Sequence, residues 1–413
     1  MSAPVSHCRF CGTAVTHTVV DLGMSPLCES FVPAERLNAM EPFYPLHAKV
    51  CAVCWLVQVD EYVGAHEIFT EYAYFSSFSE SWLQHAHRYV DMITERLALT
   101  SSSRVVELAS NDGYLLQWFV QKGIPALGID PAVNVAEAAR ARGVPTLTIL
   151  FGEQTAPAVV AEHGHADLVI GNNVLAQVPD LNGFVAGIRI LLAPTGVATL
   201  EFPHLLRLLE GNQFDTIYHE HFGYFSLAVC ERIAARHGLT VFDVEELTTH
   251  GGSLRLYLRH AADATKPVTD AVHALRALEQ AEGLETLERY ARFTAQVEET
   301  KRRILSFLIE ARRAGKQVVG YGAPGKGNTL LNYCGIRTDF LAYTVDRNPY
   351  KHGRYTPGTH IPIHAPERIA ETRPDYVFIL PWNLRDEVVA QLAYIREWGG
   401  RCVVPIPTLE VLP

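Results

Sequence analysis

No run of apolar residues in this sequence approaches the roughly 20 that a membrane-spanning helix needs, which excludes a helical membrane protein. The opening Met-Ser-Ala-Pro has neither the basic nor the apolar region of a secretory leader, so a cytoplasmic protein is expected. An excess of basic charge is missing too. Lys and Arg number 35 against 45 Asp and Glu, a net charge of −10, which argues against a nucleic-acid partner. The zinc-protease pattern is not met either, because the histidines of His219-Glu220-His221 stand two apart rather than four. With 413 residues, 48% of them apolar and 19% charged, the chain is expected to be an ordinary globular protein of two or three domains.

The eight cysteines are few but grouped. Cys8-x-x-Cys11-Gly and Cys51-x-x-Cys54 form two knuckles, each able to present two thiolates to one ion. Four protein ligands leave no open coordination position, so the expected zinc is structural. Cys28, Cys230, Cys334 and Cys402 are scattered and read as small core residues. Tyr72-Ala-Tyr74-Phe-Ser-Ser follows, suited either to the lip of a polar site or to packing between domains.

From Arg104 the chain alternates strands and helices. Val105-Val-Glu107-Leu is a short strand, followed by the small-residue turn Ala-Ser110-Asn111-Asp112-Gly113 and a helix. The next strand ends at Asp130, about twenty residues on, where an acid holds a ribose diol in doubly wound sheets. This turn lacks the glycines that cradle a pyrophosphate. An adenosine without one, such as S-adenosylmethionine, suits it better, and the donor's positive charges suit Glu107 and Asp112. Asn172 and Asn173 end a further strand on the same side of the expected sheet. The spacing of Leu287, Tyr290, Thr294, Val297, Ile304 and Leu308 predicts a one-sided packing helix within 275–313.

Tyr218-His219-Glu220-His221 places a phenol, two imidazoles and a carboxylate in four positions, a set able to move protons near neutral pH. The same four residues also suit a surface turn. Further on, Gly320 to Lys326 satisfies G-x-x-x-x-G-K, but Gly327 stands where a P-loop needs Ser or Thr. Gly322, Lys326 and Asn328 between a strand and a helix then predict either a diphosphate cradle or a plain tight turn. Trp382-Asn383 ends a strand, where it would take a base or simply pack.

Taken in order, these motifs resemble the zinc-containing S-adenosylmethionine-dependent sugar C-methyltransferases, such as those of tetronitrose and the novobiocin sugar. The match runs through both knuckles, Glu107–Gly113, Phe214–His221, His250-Gly-Gly252, Gly320-Tyr-Gly-Ala and Thr356–Pro362. It implies an α/β chain in three parts: a small zinc-binding domain (1–75), a central doubly wound class I methyltransferase domain of Rossmann-like form (76–265) and, after connecting helices (266–315), a second α/β Rossmann-like domain for a nucleotide sugar (316–413). It also implies action on a nucleotide-linked 4-keto-deoxy sugar, with His221 as the base, Tyr218 and Glu220 beside it, and Tyr72 or Tyr74 near the sugar. In that chemistry Glu220 is expected to orient His221, and Tyr218 or His219 to donate to the enolate oxygen; a monomer is expected. There is one departure. Gln177 stands where such proteins commonly carry a histidine, and glutamine cannot titrate. That keeps open an epimerase or isomerase on the same scaffold, or a nucleotide-sugar-binding protein without catalysis.

Overall fold

Three β-sheets meet around the stretch that carries His221. The computed structural model describes residues 6–64 and 76–412, so Tyr72 and Tyr74 lie outside the described residues. The first part of the chain supplies β1 (His17–Ser25), β2 (Val32–Pro33), β3 (Tyr44–Val50) and β4 (Val57–Val59). The middle supplies β5 (Val105–Leu108), β6 (Ala126–Ile129), β7 (Thr146–Leu147), β8 (Ala166–Asn172), β9 (Leu192–Pro203), β10 (Gly223–Tyr224), β11 (Leu239–Leu247) and β12 (Ser253–His260). The last part supplies β13 (Val318–Tyr321), β14 (Thr344–Val345), β15 (Arg354–Tyr355), β16 (Ile363–His364), β17 (Tyr376–Ile379), β18 (Arg401–Val404) and β19 (Glu410–Leu412).

The central sheet has the order β11-β12-β9-β8-β5-β6-β7, parallel from β7 to β9 and closed by the antiparallel β12 and β11. All four residues of β5 are buried, as expected of a parallel strand covered on both faces. Winding reverses between β5 and β8, and ligands of such sheets bind beyond the carboxyl ends there. The third sheet, β16-β14-β13-β17-β18-β19, repeats the plan, reversing between β13 and β17.

The sheets are not sealed off from one another. β10, from the middle of the chain, pairs antiparallel with β4, so the first sheet is completed by the strand that follows His221. β2 pairs with β15, tying the first part to the third. A shared apolar core runs from Val20 and Leu46 through Phe214, Tyr290 and Phe293 to Val345 and Phe378. The helical stretch is two helices rather than one, Asp270–Ala281 and Leu287–Arg313. Gly283 at φ +74° ends the first, and the Thr286 side chain caps the second. The second buries Tyr290, Phe293, Val297, Ile304 and Leu308; Leu287, in its first turn, is 38% exposed, and the Thr294 hydroxyl donates to the Val19 carbonyl at 2.6 Å.

Candidate active site

The sulfurs of Cys8, Cys11, Cys51 and Cys54 all lie within 4.8 Å of one another, close to the about 3.8 Å edge of a tetrahedron with zinc–sulfur bonds of about 2.3 Å. Each knuckle is closed by its own backbone: Gly12 N–H donates to the Cys8 carbonyl at 2.8 Å, and Trp55 N–H to that of Cys51 at 2.8 Å. Side chains fasten the knuckles to the central part. Arg232 donates to the Cys54 carbonyl, Arg9 to that of Pro179, and Asn182 to those of Arg9 and Phe10. Four thiols in this arrangement fit a zinc ion, and such an ion would hold the first sheet, and with it β10, against the central domain.

At the carboxyl end of β5, the turn Ala109–Gly113 is built on left-handed residues. Gly113 has φ +75°, and a Cβ there would stand 3.0 Å from Val144 Cγ2, so only glycine fits without strain. Asp130 accepts from Asn111 N–H with one oxygen and from Ala132 N–H with the other, both at 2.9 Å, which leaves a lone pair on each oxygen. Burial pushes Glu107 well above the usual carboxylate range, with the Tyr114 hydroxyl opposing. Asp112 is partly committed: one oxygen pairs with Arg142 at 2.8 Å and accepts from Ser77. Its other oxygen, Ser110 Oγ and Asn173 Oδ1 have no hydrogen-bond partner among the described residues. Asn172 lies at the end of β8, beside Tyr114. These acceptors fit a ligand carrying a diol at one end and a positively charged amine at the other.

The stretch Tyr218–His221 sits beside this end of the sheet. It is pinned on both sides: Phe222 N–H donates to the Ala176 carbonyl at 2.6 Å, and its own carbonyl accepts from Val59 N–H. Gln177 therefore lies next to the cluster. The His221 ring rests on Tyr218, 4.2 Å between centroids. Burial, with the His250 ring and Lys326 adding, pushes His221 down to about 3, while the Thr216 carbonyl opposes as acceptor of a ring N–H. A carbonyl on that side favours the tautomer with its N–H there, which leaves the other nitrogen's lone pair for a proton. His219 does a different job. Its Nε2 meets the Pro45 carbonyl at 3.2 Å and its ring packs edge-on to Tyr44, anchoring the stretch to β3. Glu220 accepts from the Cys28 thiol at 3.2 Å, so the orienting partner found for His221 is the Thr216 carbonyl.

The third sheet closes the site. Lys326, in the first turn of the helix Gly325–Cys334, donates to Asn383 Oδ1 at 2.9 Å and lies over the Trp382 ring at 4.8 Å. Trp382 Nε1 donates to Asp215 at 2.7 Å, and burial raises Asp215 to about 7 with Lys326 opposing. Gly322 abuts Pro381, and Asn328 spends its amide on the Cys28 carbonyl at 2.6 Å. Asp215, His250 and Glu29 also stand here, with no individual role read from the sequence. Asp215 stands within the stretch that carries His221, and His250 occupies a left-handed turn at φ 54° against Trp82. Gly320-Tyr-Gly322-Ala-Pro-Gly325 also satisfies G-x-G-x-x-G, with Asp346 after the following strand accepting from Ala323 N–H at 2.7 Å. That pattern is a stronger signal for a Rossmann-like third domain than the P-loop-like one.

Family models agree with this geometry. A methyltransferase domain model matches residues 82–244, a C-methyltransferase C-terminal domain model residues 248–407 and a zinc binding domain model residues 8–69. The chain is 37% identical to the C-methyltransferase NovU of Streptomyces niveus over 409 residues, 99% of this chain and 97% of that protein. This chain belongs to the C-methyltransferase family. Among solved structures, the magnesium protoporphyrin IX methyltransferase of Synechocystis PCC 6803 with bound S-adenosylmethionine aligns at 16% identity and TM-score 0.32, over 44% of this chain and 82% of that one. The CcbJ methyltransferase of Streptomyces caelestis aligns at 14% and 0.35, over 43% and 90%. Scores this low add nothing to the assignment.

The methyltransferase thus uses S-adenosylmethionine as donor and carries a four-cysteine zinc site. No helix among its described residues is long and apolar enough to cross a membrane. Two predictions arise here. If Asp130 holds the donor's ribose, Asp130→Ala should weaken S-adenosylmethionine binding by roughly 10- to 100-fold, the worth of a charged hydrogen bond. Calorimetry measures the change, and an unaltered donor affinity would place the donor elsewhere. The second concerns pH. Burial and Glu29 raise Glu220 from the ordinary 4.5 to about 7. The folded state therefore binds this proton more tightly than the unfolded chain. Stability from it is full below the ordinary value and falls, by about 3 kcal/mol at most, as pH rises through 7. Glu220→Gln should flatten the pH dependence of unfolding over that window, and an unchanged profile would mean that Glu220 is ionised throughout.

Proposed function

We propose that the methyltransferase alkylates the carbon next to the ketone of a nucleotide-linked 4-keto-deoxy sugar, through an enolate. The observation that carries this reading is His221, a neutral imidazole at the meeting of the donor end of the central sheet and the Lys326–Trp382–Asn383 face of the third. A carbon acid next to a ketone needs such a base, since removing its proton is what makes that carbon nucleophilic. His221 takes the proton on the nitrogen that Thr216 leaves free. Tyr218, in ring contact with His221, stands where it can donate to the sugar. When bound, S-adenosylmethionine supplies an electrophilic methyl on its sulfonium. Domains that hold donor and acceptor from opposite sides contribute orientation, which is worth several kcal/mol when the reacting atoms are in line.

Protonated His221 would stand beside Lys326 and His250, an arrangement that is costly unless negative charge develops on the substrate at the same moment. The enolate supplies that charge. Gln177 takes no part in proton transfer. Family membership favours methyl transfer over isomerisation without it. The test is a pair of substrates, a 4-keto nucleotide sugar and its 4-hydroxy counterpart, incubated with methyl-labelled donor. Label should enter the ketone alone; label on the alcohol's oxygen would contradict the enolate.

A further inference from the structure

We infer that Lys326 is a catalytic residue, donating a hydrogen bond to the substrate's ketone oxygen as the enolate forms; this rests on the reading proposed above. Sequence position alone would give Lys326 to a diphosphate, because it opens a helix after a glycine-rich turn. Its side chain leaves that turn. The ammonium group reaches Asn383 and the Trp382 ring, and its charge acts on Asp215, His221 and His250, all from the central part of the chain. At the turn itself stands another group, Glu29, which takes the Gly325 N–H and has Lys351 3.8 Å away. A diphosphate on Gly325 would meet that carboxylate.

Counting donors sharpens the assignment. An ammonium has three N–H bonds, and Asn383 takes one. No carboxylate lies within ion-pair distance of Lys326 among the described residues, and burial raises the nearby Asp215 to about 7, which weakens its hold as a counter-ion. Two donors remain for a ligand oxygen. In a 4-keto sugar the ketone oxygen is bound to the carbon adjacent to the one losing its proton, whereas the diphosphate is attached at the far side of the ring. A donor group whose charge is felt by the base is therefore placed for the ketone. As His221 removes the proton, the C–H pair forms the C=C bond and the carbonyl pair moves to oxygen, where Lys326 meets it. When the new C–C bond forms, the oxygen pair returns to C=O, the C=C pair takes the methyl, and the sulfonium sulfur keeps the pair of the broken S–C bond. His221 later loses its proton to solvent.

Lys326→Met tests this against the diphosphate role. Removing one donor to a developing oxyanion costs about 10²–10³-fold in kcat, so kcat and solvent exchange of the substrate's α-proton should both fall by that much. Affinity for thymidine or uridine diphosphate, which lack the ketone, should change less than roughly threefold by calorimetry, about 0.7 kcal/mol. Lys326→Arg, which keeps the charge, should recover part of kcat, and unaltered S-adenosylmethionine binding reports an intact fold. Weaker nucleoside diphosphate binding with kcat spared would overturn the inference, as would a Met variant with wild-type kcat. A wild-type enzyme that turns over no keto sugar sinks the proposed function and the inference together. Turnover by wild type with an indifferent Met variant sinks the inference alone.

Discussion

His221→Asn is expected to stop both methyl transfer and exchange of the substrate α-proton, with a loss of at least the roughly 10²–10⁴-fold that a positioned general base contributes. Asparagine keeps much of the size and some hydrogen bonding of the imidazole, so both ligands should still bind. The ring it replaces has one nitrogen directed to the Thr216 carbonyl and is held below its ordinary basicity by burial, His250 and Lys326. Glu220→Gln should cost less, because Glu220 meets Cys28 and is not the partner that orients His221. The informative outcome is a split. If His221→Asn stops methylation while exchange continues at the wild-type rate, the proton leaves to another group, and His250 and Tyr218 are the nearest candidates. His219 is a weaker one, since its Nε2 is spent on the Pro45 carbonyl.

Cys51→Ser is expected to lose the zinc and, with it, activity. A structural zinc supplies about 10–16 kcal/mol of apparent binding free energy in isolated finger peptides at neutral pH, so the knuckles should not hold their geometry without it. The effect reaches the site through the backbone. Cys51 ends the β3–β4 side of the first sheet, β4 pairs with β10, and β10 begins two residues after His221. A misplacement of about 1 Å at the reacting groups can cost 10²-fold in rate, so activity should fall by at least that much even where the protein remains soluble. Metal analysis of wild-type protein purified without added zinc should find about one equivalent, as a closed four-ligand site requires. Metal-free protein that is folded and fully active would refute the structural role.

Much of this architecture was legible from local chemistry. The two knuckles declare themselves because thiolates at that spacing have few other uses in such a protein. β5, its small-residue turn and Asp130 follow a pattern whose parts lie within one supersecondary unit, and the backbone bonds from Asn111 and Ala132 to Asp130 are as local as the pattern. What local sequence does not reveal has a common cause. The sequence places Lys326 at a strand-to-helix turn, but a lysine reaches several ångströms beyond its Cα, and the Asn383 to which it donates stands 57 residues away. Glu220 is adjacent to His221 in sequence, yet the side chain that donates to it, Cys28, comes from the first part of the chain, 192 residues away. The apolar spacing also does not mark the break at Gly283, a glycine in a helical pattern that acts as a terminator.

The central claim is carbon methylation through an enolate. It is tested most directly by incubating the enzyme in deuterated water with a 4-keto nucleotide sugar and donor carrying a carbon-13 methyl, then assigning the product by nuclear magnetic resonance. The account predicts a labelled methyl bonded to a ring carbon next to the ketone, with the α-proton of that carbon gone. Label on oxygen or nitrogen, or deuterium entering the sugar with no methyl transferred, would contradict it.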